Sequence, residues 1–144
     1  MDPEHLPLSP WQAATKEGAA KAGQKVAANQ LHPVDLVICG SVVVNREGVR
    51  VGKGGGFSDL EVAFLVEAGV LRPSTVLVTT VHPLQVVDEP LPETVHDFRV
   101  DLIATPNQVI WCGEPRRPPG ILWEHLHQDK IAEVPLLAAL AAQR

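Results

Sequence analysis

The stretch Val49-Arg50-Val51-Gly52-Lys53-Gly54-Gly55-Gly56-Phe57-Ser58-Asp59-Leu60-Glu61 decides how this chain is read. Val49-Arg50-Val51 alternates apolar and polar residues, as a short strand does. The turn Asn45-Arg46-Glu47-Gly48 lets it pair back as a hairpin. After the glycines, Ser58-x-x-Glu61 reads as a capping box that opens a helix. Leu60, Phe64, Leu65 and Ala68 recur along it at helical spacing, and Gly69 stops it. A strand that runs through glycines into a helix can hold an anion. Glycine lacks Cβ, so the backbone turns with positive φ and approaches a ligand closely. The free N–H groups of the helix start, with the helix dipole, add partial positive charge. A tight structural turn explains three glycines by themselves equally well. The loop is neither a Walker A sequence nor a dinucleotide fingerprint, because no Gly-Lys-Ser/Thr triplet occurs and the dinucleotide spacing is absent.

Upstream, Asp35 to Asn45 is a nearly continuous β-branched run, expected to form a strand buried on both faces with a bulge or close approach at Gly40. Ser9-Pro10 signals a helix start, and a weakly amphipathic helix is expected from Trp11 to about Ala22, ending near Gly23. Downstream, strands are expected at Thr75–Val81, Val100–Thr105 and Gln108–Cys112, with Pro90-Leu91-Pro92 as a stiff connection. Residues 113–144 form a proline-rich segment and a helical tail from Gln128 to Ala142, with Pro135 as a kink or second start. Strands alternating with helices predict an α/β fold with a mainly parallel sheet flanked by helices. Residues 1–144 are expected to form one domain.

With 17 acidic and 12 basic residues the formal charge is −5, which argues against a nucleic-acid surface. Two distant cysteines, Cys39 and Cys112, signal neither a disulfide framework nor a zinc site. Cys39 reads as a buried thiol. The N-terminus lacks a secretory pattern and no apolar run approaches the ~20 residues that span a bilayer. The expectation is a cytoplasmic protein without a membrane partner.

The run Val51 to Asp59 resembles the glycine-rich signature of 5-formyltetrahydrofolate cyclo-ligases. Leu91-Pro-Glu-Thr-Val-His-Asp97, followed by Val100 to Thr105, is similar to that family's second block, and the resemblance spans roughly Val34 to Ile110. Gly40-Ser41, Asp97 to Asp101, Arg117 to Ile121 and Trp123 look typical of the divergent cyclo-ligase-like branch, the methenyltetrahydrofolate synthetase domain-containing proteins. The resemblance implies a fold of the ribose-5-phosphate isomerase and CoA-transferase kind. It implies that Gly52, Lys53, Gly54, Gly55 and Gly56 cradle the phosphates of ATP, that Phe57 contacts substrate, and that Asp59 and Asp97 hold magnesium. In active family members ATP phosphorylates the N5-formyl oxygen of 5-formyltetrahydrofolate. Ring closure by N10 then gives 5,10-methenyltetrahydrofolate. For the divergent branch the small-molecule ligand stays open between a nucleotide, a folate and a thiamine-related compound.

Two departures from the family pattern stand out. The second aromatic and the basic residue that follow the glycines in many active enzymes are missing from Phe57-Ser58-Asp59-Leu60. No Arg/Lys-rich opening helix precedes Trp11, so the chain is expected to start after the N-terminal part of the family fold. A sheet edge and apolar surface would then stay uncovered, for which a homo-oligomer is a natural remedy. A non-catalytic ligand- or partner-binding module is the alternative. Structural readings stand beside the functional ones. Asp97 could stabilise a turn, His96 and His82 suit turn or strand-end duty, and Asp101 suits capping of backbone amides. Arg116 and Arg117 suit an exposed loop or the rim of an anionic pocket. Trp111 and Trp123 suit packing.

Overall fold

The computed structural model describes residues 5–26 and 30–142, and the chain divides into two compact units, residues 1–31 and 32–144. The first holds two short helices, α1 (Pro10–Ala13) and α2 (Lys16–Ala22), where the sequence predicts one. Ser9 caps α1 in a reciprocal box with Gln12. Thr15 interrupts the helix because its hydroxyl caps α2, accepting from the Gly18 N–H at 2.9 Å. A Cβ on Gly18 would lie 1.7 Å from the Gln12 carbonyl oxygen, so only glycine permits this turn.

The second unit contains β1 (Val34–Cys39), β2 (Val43–Asn45), β3 (Arg50–Val51), α3 (Phe57–Glu67), β4 (Leu71–Thr80), β5 (Val86–Val87), β6 (Leu102–Ala104), β7 (Val109–Trp111), α4 (Gln128–Glu133) and α5 (Pro135–Ala141). Four strands form one sheet in the order β1-β4-β6-β7, parallel except for the terminal β6–β7 hairpin. A smaller sheet runs β3-β2-β5, with β2 antiparallel to β3 and parallel to β5. The architecture is thus an α/β fold with mostly parallel strands flanked by helices, as the sequence predicts.

The predicted single strand from Asp35 to Asn45 is instead two strands in different sheets. The chain leaves the large sheet after Cys39 and enters the small one at Val43, with Gly40-Ser41 as the corner. Thr79 holds that corner, its hydroxyl donating to the Cys39 carbonyl (3.0 Å) and lying 2.8 Å from Ser41 Oγ. Nor is β1 buried on both faces. It is an edge strand on which Leu36 and Ile38 are 51% and 63% exposed. The central strand β4 is the buried one, with Leu77 and Thr79 fully enclosed.

Helix α3 carries the connection from β3 to β4 and packs on two sides. Val62 joins Val44, Leu77, Phe98, Val100 and Ile103 in the main core, while Ala63 joins Ile121 and Leu137 of the C-terminal segment in a second. Pro135 opens α5 at its first position, where its missing N–H costs nothing. Gly69, at φ +68°, ends the α3 region as predicted.

Candidate functional site

The glycine loop stands where β3 hands over to α3, beside the Gly40-Ser41-Val42 corner at the carboxyl end of β1. Ligands of open α/β sheets bind at such strand ends. The helix does not begin with the predicted capping box. Its N-cap is Gly56, in the left-handed region at φ +66°, and Ser58 lies inside the first turn. Gly54 is also left-handed, at φ +87°. Glycine reaches these angles without Cβ strain, which lets the chain enter α3 abruptly. The N–H groups of Gly52 through Ser58 have no acceptor among the described residues. Gly52, Lys53, Gly55 and Gly56 line a hollow of ≈ 530 Å³ together with Arg50 and Asp59.

Arg50 is the residue that sequence reasoning missed. Its side chain is 3% exposed, its guanidinium stacks 4.2 Å from the Phe98 ring centroid, and Nη2 donates to Asp59 Oδ1 at 2.9 Å. Nε is buried with no hydrogen-bond partner among the described residues. An apolar strand that carries one arginine two places before the glycines was the available signal. Its burial became visible only once Phe98 folded over it.

Asp59 sits in the first turn of α3, favourable for the helix dipole. Burial pushes its carboxyl above the usual aspartate range. The Arg50 charge opposes that shift and the nearby Asp97 charge adds to it. Asp59 and Asp97 line one further hollow of ≈ 300 Å³, on which Gly55 and Gly56 also border. Each carboxylate spends one oxygen on the protein: Asp59 Oδ1 on Arg50, and Asp97 Oδ2 on the Thr94 N–H. The opposite oxygens lie outside these bonds. Such a pair fits magnesium, which takes one or two carboxylates and completes its shell with water and phosphate. No group of three His, Cys, Asp or Glu side chains is arranged for a metal among the described residues.

Other sequence candidates fall into place around this centre. Lys53 is exposed at the rim of the larger hollow. Phe57 is half-exposed, with Lys130 Nζ 3.8 Å above its ring. Lys130 and His125 come from the C-terminal segment and carry no local sequence signal for the site. His96 is held in the turn before Phe98, its N–H donating to Thr94 Oγ1 at 3.3 Å. His82 caps a 3-10 turn over Pro83–Gln85.

Arg116 and Arg117 lie in the irregular segment between β7 and Trp123, half-buried rather than exposed, and are held by ion pairs. Arg116 binds Glu93 and the Thr94 carbonyl, while Arg117 pairs with Asp101 and donates to the Arg99 carbonyl. Asp101 also accepts from the Leu77 N–H at 2.7 Å, the capping role expected of it. Trp123 packs in the second core, but Trp111 is 68% exposed on edge strand β7. Cys39 is half-buried, and burial pushes its thiol up.

Comparison with known proteins agrees with this architecture. Residues 2–106 match the model of the 5-formyltetrahydrofolate cyclo-ligase family. A methenyltetrahydrofolate synthase domain-containing protein of Bos taurus is 40% identical over 136 residues, 92% of this chain and 35% of that protein. Its Mus musculus counterpart is 40% identical over 133 residues (90% and 35%), and that of Homo sapiens 39% over 136 (92% and 35%). The chain therefore spans about a third of the length of these relatives. With the family model covering most of its length and relatives about 40% identical, this chain belongs to the 5-formyltetrahydrofolate cyclo-ligase family.

Proposed function

We propose that the loop from Gly52 to Gly56 binds the phosphates of ATP or of another phosphorylated ligand, and that Asp59 and Asp97 take the accompanying magnesium. One observation carries this reading: the backbone N–H groups of Gly52 through Ser58 have no acceptor among the described residues, and all of these residues but Gly54 line an open hollow at a helix N-terminus. Magnesium, when bound, would neutralise charge on the phosphoryl oxygens. The chain's own part is to donate from the loop amides and to hold Asp59 in place through the buried Arg50. Lys53 adds a mobile cation at the rim, and Phe57 offers an aromatic face to the second ligand. No helix of the described residues is long and apolar enough to cross a membrane, and a nucleotide-binding role fits the cytoplasm.

Family membership and the names of the relatives support a second reading, an active ATP-dependent cyclo-ligase. Phosphoryl transfer to the formyl oxygen would be followed by attack of the ring-closing amine and departure of phosphate, a sequence that asks mainly for positioning and charge neutralisation. The two readings separate in one experiment. Protein, 5-formyltetrahydrofolate, ATP and magnesium are mixed and the methenyl absorbance is followed, with calorimetric titration of magnesium-ATP alongside. Binding without turnover supports the first reading, with a folate-like or thiamine-related ligand still to be sought. Turnover establishes the second. Neither binding nor turnover leaves a non-catalytic module.

A further inference from the structure

At the far rim of the smaller hollow, His125 Nδ1 lies 3.1 Å from His96 Nε2. The ring centroids are 5.0 Å apart and the planes meet at 70°, an edge-on arrangement that brings one nitrogen of each ring together. Two nitrogens bound to one tetrahedral zinc at its usual distance of 2.0–2.1 Å stand about 3.3 Å apart. The observed separation is close to that. Each histidine is fixed by its own turn. His96 N–H is tied to Thr94 Oγ1, and the His125 N–H donates to the Leu122 carbonyl at 3.0 Å. His125 also lies beyond the residues matched by the family model.

We propose that His96 and His125 together bind a borderline divalent ion of the zinc, cobalt or nickel class. Imidazole nitrogen suits these ions, whereas magnesium prefers the oxygens of Asp59 and Asp97. As the ion enters, the ring that donates gives up the proton between the two nitrogens and takes one from solvent at its other nitrogen, so both imidazoles bind as neutral ligands. With two protein ligands the ion keeps positions open for water or for an anionic group of a ligand in the hollow. Binding ties the Thr94–Asp97 turn to the 3-10 turn Trp123–His125, and so draws the C-terminal segment against the glycine loop. The inference does not depend on the nucleotide reading.

The test uses the full chain, stripped with chelator, and zinc alone as the probe. Calorimetry should show one bound ion per chain and a raised melting temperature, because an ion that binds only the folded state stabilises it. His125→Ala and His96→Ala, both exposed positions, should each lose the binding and the thermal shift while keeping the metal-free melting temperature. His127→Ala, two residues along, should behave as the unaltered protein. Equal zinc affinity in either alanine variant would overturn the proposal, as would loss of zinc binding in Asp59→Asn with both histidines intact. Absence of any stoichiometric binding would leave the pair as a plain hydrogen bond and overturn it too.

Discussion

Asp59 and Glu93 are both carboxylates beside arginine, and their environments pull them in opposite directions. Glu93 accepts two bonds from Arg99, at 2.9 and 2.8 Å, and a third from Arg116 at 2.8 Å. Hydrogen bonding to Arg99, first among the causes, holds its carboxyl below the usual range. Asp59 receives one side-chain bond, from an arginine that is itself almost fully buried, and it faces a second carboxylate; burial wins and its carboxyl is pushed up. Glu93 is therefore satisfied by the protein and serves to weld the 113–117 segment to the loop before β6. Asp59 is under-compensated and gains from another cation. The contrast separates an ion pair that supports the fold from one that suits a site.

The comparison breaks most severely at Arg50. Arg50→Met should destabilise the protein by about 3 kcal/mol in urea unfolding, since it strips Asp59 of its counter-ion and Phe98 of its stacked guanidinium. Asp59→Asn should leave urea stability at neutral pH unchanged or slightly raised, because the ionised carboxylate it replaces is the form that burial penalises. It should also abolish magnesium-dependent ATP binding in calorimetry. Unchanged magnesium dependence would remove Asp59 from the site. Glu93→Gln should cost about 1 kcal/mol, being partly solvent-screened, and leave ligand binding intact.

Titration sharpens the same contrast through its sign. Glu93 has a depressed folded pKa, so its contribution is complete above the ordinary glutamate value and is lost as pH falls through the folded value. Asp59 has a raised one. Its ionised form costs stability at neutral pH, and that cost is relieved as pH falls through its folded value, above the ordinary aspartate range. Unfolding measured from neutral to acid pH should thus lose its acid-limb slope in Glu93→Gln and steepen in Asp59→Asn. The smallest effect is at Cys112, whose thiol burial pushes up to about 11, with the Asp101 and Glu47 charges adding to it. It should react with thiol reagents at pH 8 far more slowly than a free cysteine.

What the sequence could reveal follows from how far each feature reaches along the chain. Strand-glycine-helix order around residues 50–67 was legible, because turn chemistry and helical spacing are local signals. So were β6 and β7 as strands, and a kink or second helix start at Pro135. The split of residues 34–45 between two sheets was not. A continuous β-branched run looks the same whether Gly40 makes a bulge or a corner, and only the pairing with β4 and β5 decides. The edge position of β1 was hidden for the same reason, although an uncovered edge had been expected somewhere. At the site, Asp59 and Asp97 could be named from motif resemblance. Arg50, His125 and Lys130 could not, since their partners Phe98, His96 and Phe57 are set by tertiary packing. The capping box at Ser58 failed because three glycines offered a left-handed entry two residues earlier, at Gly56.

The central claim is that the loop amides themselves take the phosphates. Backbone amide resonances of the full chain, followed while magnesium-ATP is added, test it residue by residue. The account predicts the largest shifts at the N–H groups of Gly52 to Ser58, with little change in α1, α2 or at β7. Saturable binding that leaves those amides unmoved while shifting resonances elsewhere would contradict it.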